Sequence, residues 1–227
     1  MRGLFVTGTD TGVGKSVASA CLLASMRSAG EPVRAYKPVL TGIDDPVAAP
    51  WRADDELLAL AAGMPPEEVA PLRFGAAASP HLAAALAGVQ LDPQALIARA
   101  RELGDGHTLV VEGVGGLLVP LSGSFDVCDL AAALGLRVLV VARPGLGTIN
   151  HTLLTLKAAR QAGLEVAAVL LSGWPAEPDA PSALERSNRE TIAALGAVEV
   201  LTLPRLPGPD PAAMSAAGER LPWRRWL

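Results

Sequence analysis

The feature that most restricts the fold is a series of short, nearly unbroken Val/Leu runs, each followed by a stretch with helical spacing. The runs are Leu109–Glu112, Val138–Ala142, Val166–Leu171 and Val198–Leu203, and Leu4–Thr7 and Val33–Lys37 have the same character nearer the start. A strand wetted on one side alternates apolar and polar residues. One that is apolar at almost every position is covered on both faces, which is the condition of a parallel sheet. Between the runs, apolar residues recur three or four apart, as on one buried face of a helix. Val17, Cys21, Leu22 and Met26 mark a helix over residues 14–29, stopped at Gly30. Further helices are predicted at Asp54–Ala62, at Pro93–Leu103 behind an Asp92 N-cap, and at Val127–Leu134, Ile149–Ala162 and Leu184–Leu195. Such alternation predicts one α/β domain over residues 1–227, a mostly parallel, doubly wound sheet flanked by helices. Thr41–Ala53, Pro175–Ser182 and Leu203–Pro222 read as loops within it.

Composition removes several classes of function. The net charge is −4 and no basic stripe is present, so a nucleic-acid partner is not expected. Arg224 and Arg225 read as part of a solvated tail. No apolar stretch reaches the roughly 18–20 residues of a membrane span, and the opening MRGLFVTGTD lacks the long apolar core of a signal peptide. The expected location is the cytoplasm. Cys21 and Cys128 share neither a redox nor a metal-binding spacing, and Cys21 falls on the buried face of its helix.

Ligands of doubly wound sheets bind beyond the carboxyl ends of the strands, and there the sequence is most specific. Gly8–Ser16, GTDTGVGKS, leaves a strand and opens a helix. This is the context in which a Gly-rich loop cradles a triphosphate. Glycines let the backbone curl around an anion, the helix start adds a positive dipole end, Lys15 supplies a full charge, and the Ser16 hydroxyl is a ligand for Mg²⁺. Gly12, Val13, Gly14 and Val17 complete the nucleotide-binding segment. The loop is a variant of GxxxxGK[ST]: five places before Gly14 stands Thr9, with Gly8 one place further off. Glu112 closes an apolar strand, where a carboxylate is costly unless it meets a cation.

FVTGTDTGVGKS followed by YKPVLTG at Tyr36–Gly42 resembles dethiobiotin synthetase, as do ASPH (Ala78–His81), TLVVEGVGG (Thr108–Gly116) and GTINHTLLT (Gly147–Thr155). These pieces span most of the chain, in order. The resemblance implies a P-loop NTPase fold and an ATP-dependent cyclo-ligase of biotin biosynthesis that requires Mg²⁺. Such an enzyme closes a ureido ring on 7,8-diaminononanoate with CO₂. It also implies catalytic roles for Lys37, Lys15 and Thr11, with Lys37 holding the carbamate and the transferring phosphoryl group. By itself Lys37 reads equally as a surface lysine with a buried stem. Thr41 is implied near the diamine or the carbamate. Gly147, Thr148 and Asn150 are implied to bind the substrate carboxylate from the partner subunit of a homodimer; Asn150 alternatively serves only to start its helix.

Ser16, Asp54 and Glu112 are the candidate Mg²⁺ ligands. Asp55 competes with Asp54, and Asp54 alternatively caps its helix. Gly113–Gly116 reads either as a backbone turn lining the site, with Gly115 near both nucleotide and substrate, or as a plain tight turn. Where relatives carry an Asn-Asp pair to read adenine, this chain has Ser172-Gly173-Trp174. Base selectivity is therefore open, with Pro204–Pro207 expected to border the base through backbone groups. Trp174 either stacks on the base or covers the sheet. The alternative is a regulatory or partitioning ATPase of the same fold. Those proteins carry an extra lysine ahead of the glycines, at the place where this chain has Asp10.

Overall fold

The computed structural model describes residues 1–176 and 178–227. In chain order the elements are β1 (Arg2–Gly8), α1 (Lys15–Ser28), β2 (Val33–Tyr36), β3 (Leu40–Thr41), α2 (Asp54–Ala62), α3 (Pro66–Val69), β4 (Arg73–Phe74), α4 (Pro80–Leu86), α5 (Pro93–Leu103) and β5 (Thr108–Gly116). They continue as β6 (Pro120–Ser122), β7 (Phe125–Asp126), α6 (Val127–Leu134), β8 (Arg137–Ala142), α7 (Thr148–Gln161), β9 (Val166–Trp174), α8 (Ala183–Gly196), β10 (Val200–Pro204) and α9 (Pro211–Glu219), ending in a 3₁₀ turn at Trp223–Arg225.

The Val/Leu runs form one six-stranded sheet in the order β10-β9-β8-β1-β5-β2, every neighbouring pair parallel. Leu4, Phe5, Val6, Leu109, Val111 and Val138–Ala142 are all fully enclosed, as strands covered on both faces must be. Right-handed crossovers put α1 on one face and α5, α6, α7 and α8 on the other. In keeping with this, α1 packs against α2 and α9, while α5 packs with α6 and α7 with α8.

Differences from the sequence reading cluster where glycine and proline hide the pattern. Gly113–Gly116 is not a tight turn: β5 runs on through it, and Gly116 pairs with Gly8 of β1. Leu203–Pro222 is not a continuous loop. It contains α9, started by Asp210, whose side chain accepts from the Ala213 N–H, with Pro211 in the first turn. The end of the chain is not a solvated tail either. Trp223 and Trp226 are buried, Trp223 Nε1 donates to Ser25 Oγ on α1 at 3.0 Å, and Arg225 pairs with Glu199. Arg224 and Arg225 are exposed, with the Arg224 guanidinium stacked 4.1 Å over the Trp223 ring. The Asp54 N-cap reading also falls away, because Ala53 holds that position and Asp54 is the first residue of α2.

Candidate active site

The carboxyl ends of β1, β2 and β5 lie side by side, and each delivers one part of a charged cleft. Past β1, Gly12 and Gly14 take φ of 72° and 93°, values that favour glycine, and they curl the loop so that consecutive N–H groups converge. A Cβ on Gly14 would stand 2.4 Å from Ser172 Oγ, so the loop is seated directly on the end of β9. Gly8 is needed for a different reason: a Cβ there would lie 3.0 Å from Lys15 Cδ and Nζ. Lys15 is buried and donates to the Asp10 carbonyl at 3.0 Å. Burial lowers its pKa; nearby Glu112 works against that and Lys37 adds to it.

Lys37 follows β2 at once and is 3 % exposed. It does not lie along the surface. Its Nζ donates to Glu112 Oε1 at 2.6 Å and to Asp54 Oδ2 at 2.7 Å. Burial opposes its charge, but the two carboxylates outweigh that and hold it above the ordinary lysine range. Burial equally disfavours the Asp54 carboxylate, and Lys37 prevails there too, holding the carboxyl below its usual value. Glu112 sits on β5 opposite Val6, 1 % exposed, and its Oε1 also accepts from Ser16 Oγ at 2.8 Å. Breaking a buried pair of this kind by removing one partner costs about 3–5 kcal/mol, so these residues specify one another.

Glu112 Oε2 is buried and has no hydrogen-bond partner among the described residues. An enclosed carboxylate oxygen with unused lone pairs beside a hydroxyl and a half-exposed Asp54 is a hard oxygen donor set. It suits Mg²⁺, which takes a few protein oxygens and fills its shell with phosphate and water. Of the two neighbouring aspartates, Asp54 faces Lys37, whereas Asp55 is turned inward toward Arg73.

Next to this cluster lies a cavity of about 490 Å³ whose wall includes Thr11, Lys37, Thr41, Asp54, Ser79 and Gly115. The site residues from separate motifs thus meet in one cleft. Gly115 has φ 63°, and a Cβ there would reach Val119 at 2.9 Å and Thr11 Oγ1 at 3.5 Å. Asp45 also borders the cavity and was missed from sequence, lying in a stretch with no motif around it. His81 is exposed and is not on the wall.

Gly147, Thr148 and Asn150 are not in this cleft. They begin α7, where Gly147 and Asn150 are exposed, Thr148 is turned inward beside Thr152, and neighbouring Leu146 is 81 % exposed. Asn150 is not the cap of that helix; Gly147 is. Val17 is half-buried on α1. On the far side, Pro204 ends β10 opposite Trp174, and the Arg205 N–H donates to the Trp174 carbonyl at 2.9 Å. A cavity of about 520 Å³ opens there between Pro175–Ala176, Pro178–Ala180 and Arg205–Pro207. Trp174 packs against the core and does not line that cavity; with Pro204 it lines a smaller one of about 280 Å³ beside it.

A family profile described as AAA domain matches residues 2–212. An ATP-dependent dethiobiotin synthetase from Anaeromyxobacter sp. (strain Fw109-5) is 44 % identical over 87 % of this chain and 91 % of its own. One from Mycobacterium avium (strain 104) is 42 % identical over 96 % and 92 %, and one from Bacillus subtilis (strain 168) 37 % over 88 % and 86 %. Among solved structures, a ParA family ATPase from Chlorobium tepidum TLS superposes with a TM-score of 0.55 at 13 % identity, covering 97 % of this chain and 90 % of that one. The MinC:MinD cell division protein complex of Aquifex aeolicus gives 0.56 at 13 %, covering 100 % and 92 %. The structural likeness shows a shared fold alone. The sequence likeness shows that the chain belongs to the ATP-dependent dethiobiotin synthetase family.

Proposed function

We infer that the chain closes the ureido ring of dethiobiotin from 7,8-diaminononanoate, CO₂ and ATP, releasing ADP and phosphate. One observation carries the reading: Lys37 stands at the junction of the phosphate loop and the 490 Å³ cavity, anchored to Asp54 and Glu112. One amine takes up CO₂ as a carbamate, ATP phosphorylates the carbamate, and the second amine attacks the mixed anhydride and expels phosphate. Each step gathers negative charge in a small volume and calls for positioning and cations more than for covalent help from the protein. Lys15 serves the β- and γ-phosphates. Lys37 serves the carbamate oxygens and the phosphoryl group in flight between them. The Thr11 and Thr41 hydroxyls on the cavity wall orient the diamine, and the enclosed cleft limits water that would hydrolyse the anhydride.

Ser16, Asp54 and Glu112 are the residues that would hold Mg²⁺, which would supply charge neutralisation to the phosphates there. The base lies toward the cavity past the ends of β9 and β10, bordered by Arg205–Pro207, with Pro204 on the smaller pocket beside it. Its described wall exposes no side-chain amide, which supports loose base selectivity. The carboxylate of the diamine is met by the start of α7 from a second copy of the chain, so the working unit is a homodimer. Exposed Leu146 beside that helix supports this assembly. Among the described residues no helix is long and apolar enough to cross a membrane, in keeping with a cytoplasmic enzyme of small substrates.

The test is phosphate release by the purified protein with Mg²⁺, ATP and bicarbonate. Release should depend on the diamine and match dethiobiotin formed. Hydrolysis indifferent to the diamine would favour a regulatory ATPase of the ParA–MinD fold.

A further inference from the structure

Asp55 is fully enclosed, yet neither of its oxygens makes an aligned hydrogen bond among the described residues. Its one partner is Arg73, whose Nη2 lies 2.8 Å from Oδ2 and whose side chain is 39 % exposed at its outer end. A lone buried carboxylate is among the costlier things a fold can carry, and simple helix capping does not call for it, since the α2 N-cap is Ala53. What the pair joins is informative. Asp55 is the neighbour of Asp54, the residue that α2 presents to Lys37. Arg73 lies on β4, directly opposite Leu40 of β3.

The segment from Lys37 to Gly42 is fastened to the β4 segment along its length. Lys37 N–H donates to the Val69 carbonyl at 2.8 Å, Leu40 N–H to Leu72 at 2.9 Å and Gly42 N–H to Ala76 at 3.0 Å. Leu40, Thr41 and Gly42 form one wall of the cavity, and Asp54 stands on another. These two walls belong to different elements, and between them runs the long loop from residue 42 to residue 53. The direct polar ties across that gap are Asp54–Lys37 and Asp55–Arg73.

We propose that the Asp55–Arg73 pair is a positioning device. It fixes the register between the helix start that carries Asp54 and the ribbon that carries Thr41, so that the metal side and the diamine side of the cleft keep one spacing. The inference rests on the reading of the cavity as the diamine site. Neither residue touches substrate; both act through the residues beside them. With the pair cut, α2 can shift relative to the ribbon, Asp54 divides its contacts between Lys37 and solvent, and both halves of the site loosen together. A merely stabilising ion pair would instead lower the melting temperature and leave the kinetics of the folded enzyme unchanged.

Two measurements on the full chain separate these outcomes. The first is the KM for diamine. The second, which needs no turnover, is the Mg²⁺ concentration required for tight ADP binding, read by calorimetry. Arg73→Met should raise both by about tenfold, with metal-free nucleotide affinity unchanged, and Arg73→Lys should restore most of the loss. The double variant Asp55→Leu/Arg73→Met replaces the pair with apolar groups, an exchange that often preserves stability. It should fold and retain the kinetic defect, and it decides the matter if Arg73→Met alone fails to fold. Wild-type KM and Mg²⁺ dependence in a folded double variant would overturn the proposal. A wild-type protein with no diamine response, but with the Mg²⁺ shift intact in the variants, would instead remove the diamine reading and leave the tie to Asp54 standing.

Discussion

The phosphate end and the base end of the cleft are built at the same edge of the same sheet but in different ways. At the phosphate end, the polar atoms belong to residues within or next to strands and helices: Glu112 inside β5, Lys37 one residue past β2, Ser16 and Asp54 in the first turns of α1 and α2. They hold one another at 2.6–2.8 Å. At the base end, the described wall is Pro, Ala and exposed Arg205 and Asp179 on loops. Chemistry that tolerates little misplacement is thus set by the rigid frame. On the reading proposed above, recognition of the base, which matters less to the reacting atoms, falls to these loops.

That contrast can be broken or sharpened by experiment. The largest effect is expected from Lys37→Ala. Turnover should fall by about 10³-fold or more, with nucleotide affinity little changed in an equilibrium titration. Substantial remaining turnover would mean that the phosphate end does not depend on this residue. Glu112→Gln should cost about 10–100-fold in rate or metal affinity, and a Mg²⁺ titration that overlays wild type would reject the ligand assignment. Gly14→Ala drives a methyl toward Ser172 Oγ at a φ of 93°, and a thermal melt should show a loss of about 1–3 kcal/mol. The smallest effect belongs to the base end, where replacing ATP by GTP or CTP should change kcat/KM by less than about tenfold. Strong discrimination would reveal a base-reading group and erase the contrast.

The same contrast explains what could be read from sequence. Strands covered on both faces leave unbroken Val/Leu runs, so the sheet was legible, and Glu112 at the end of one stood out because charge there is expensive; Lys37 stood out only through the motif around it. Short pairings such as Leu40–Thr41 with Arg73–Phe74 have no periodicity to detect. Helix α9 was hidden by the surrounding prolines and by an Ala-rich stretch, although Asp210-Pro211 carried a recognisable helix start. The partner of Asp55 was not legible, because nothing local to Arg73 says which side chain it will meet. Nor does the chain by itself show what meets Gly147–Asn150.

Helix α9 and the tryptophan after it have a consequence for how the enzyme comes into being. Gly218 lies so close to α1 that a Cβ would stand 2.0 Å from the Cys21 carbonyl oxygen, and Trp223 bonds to Ser25 across 198 residues of sequence. A ribosome therefore makes the nucleotide-gripping helix early and its outer cover very late. Throughout that interval an apolar flank of the helix waits bare, and contacts so distant along the chain form slowly.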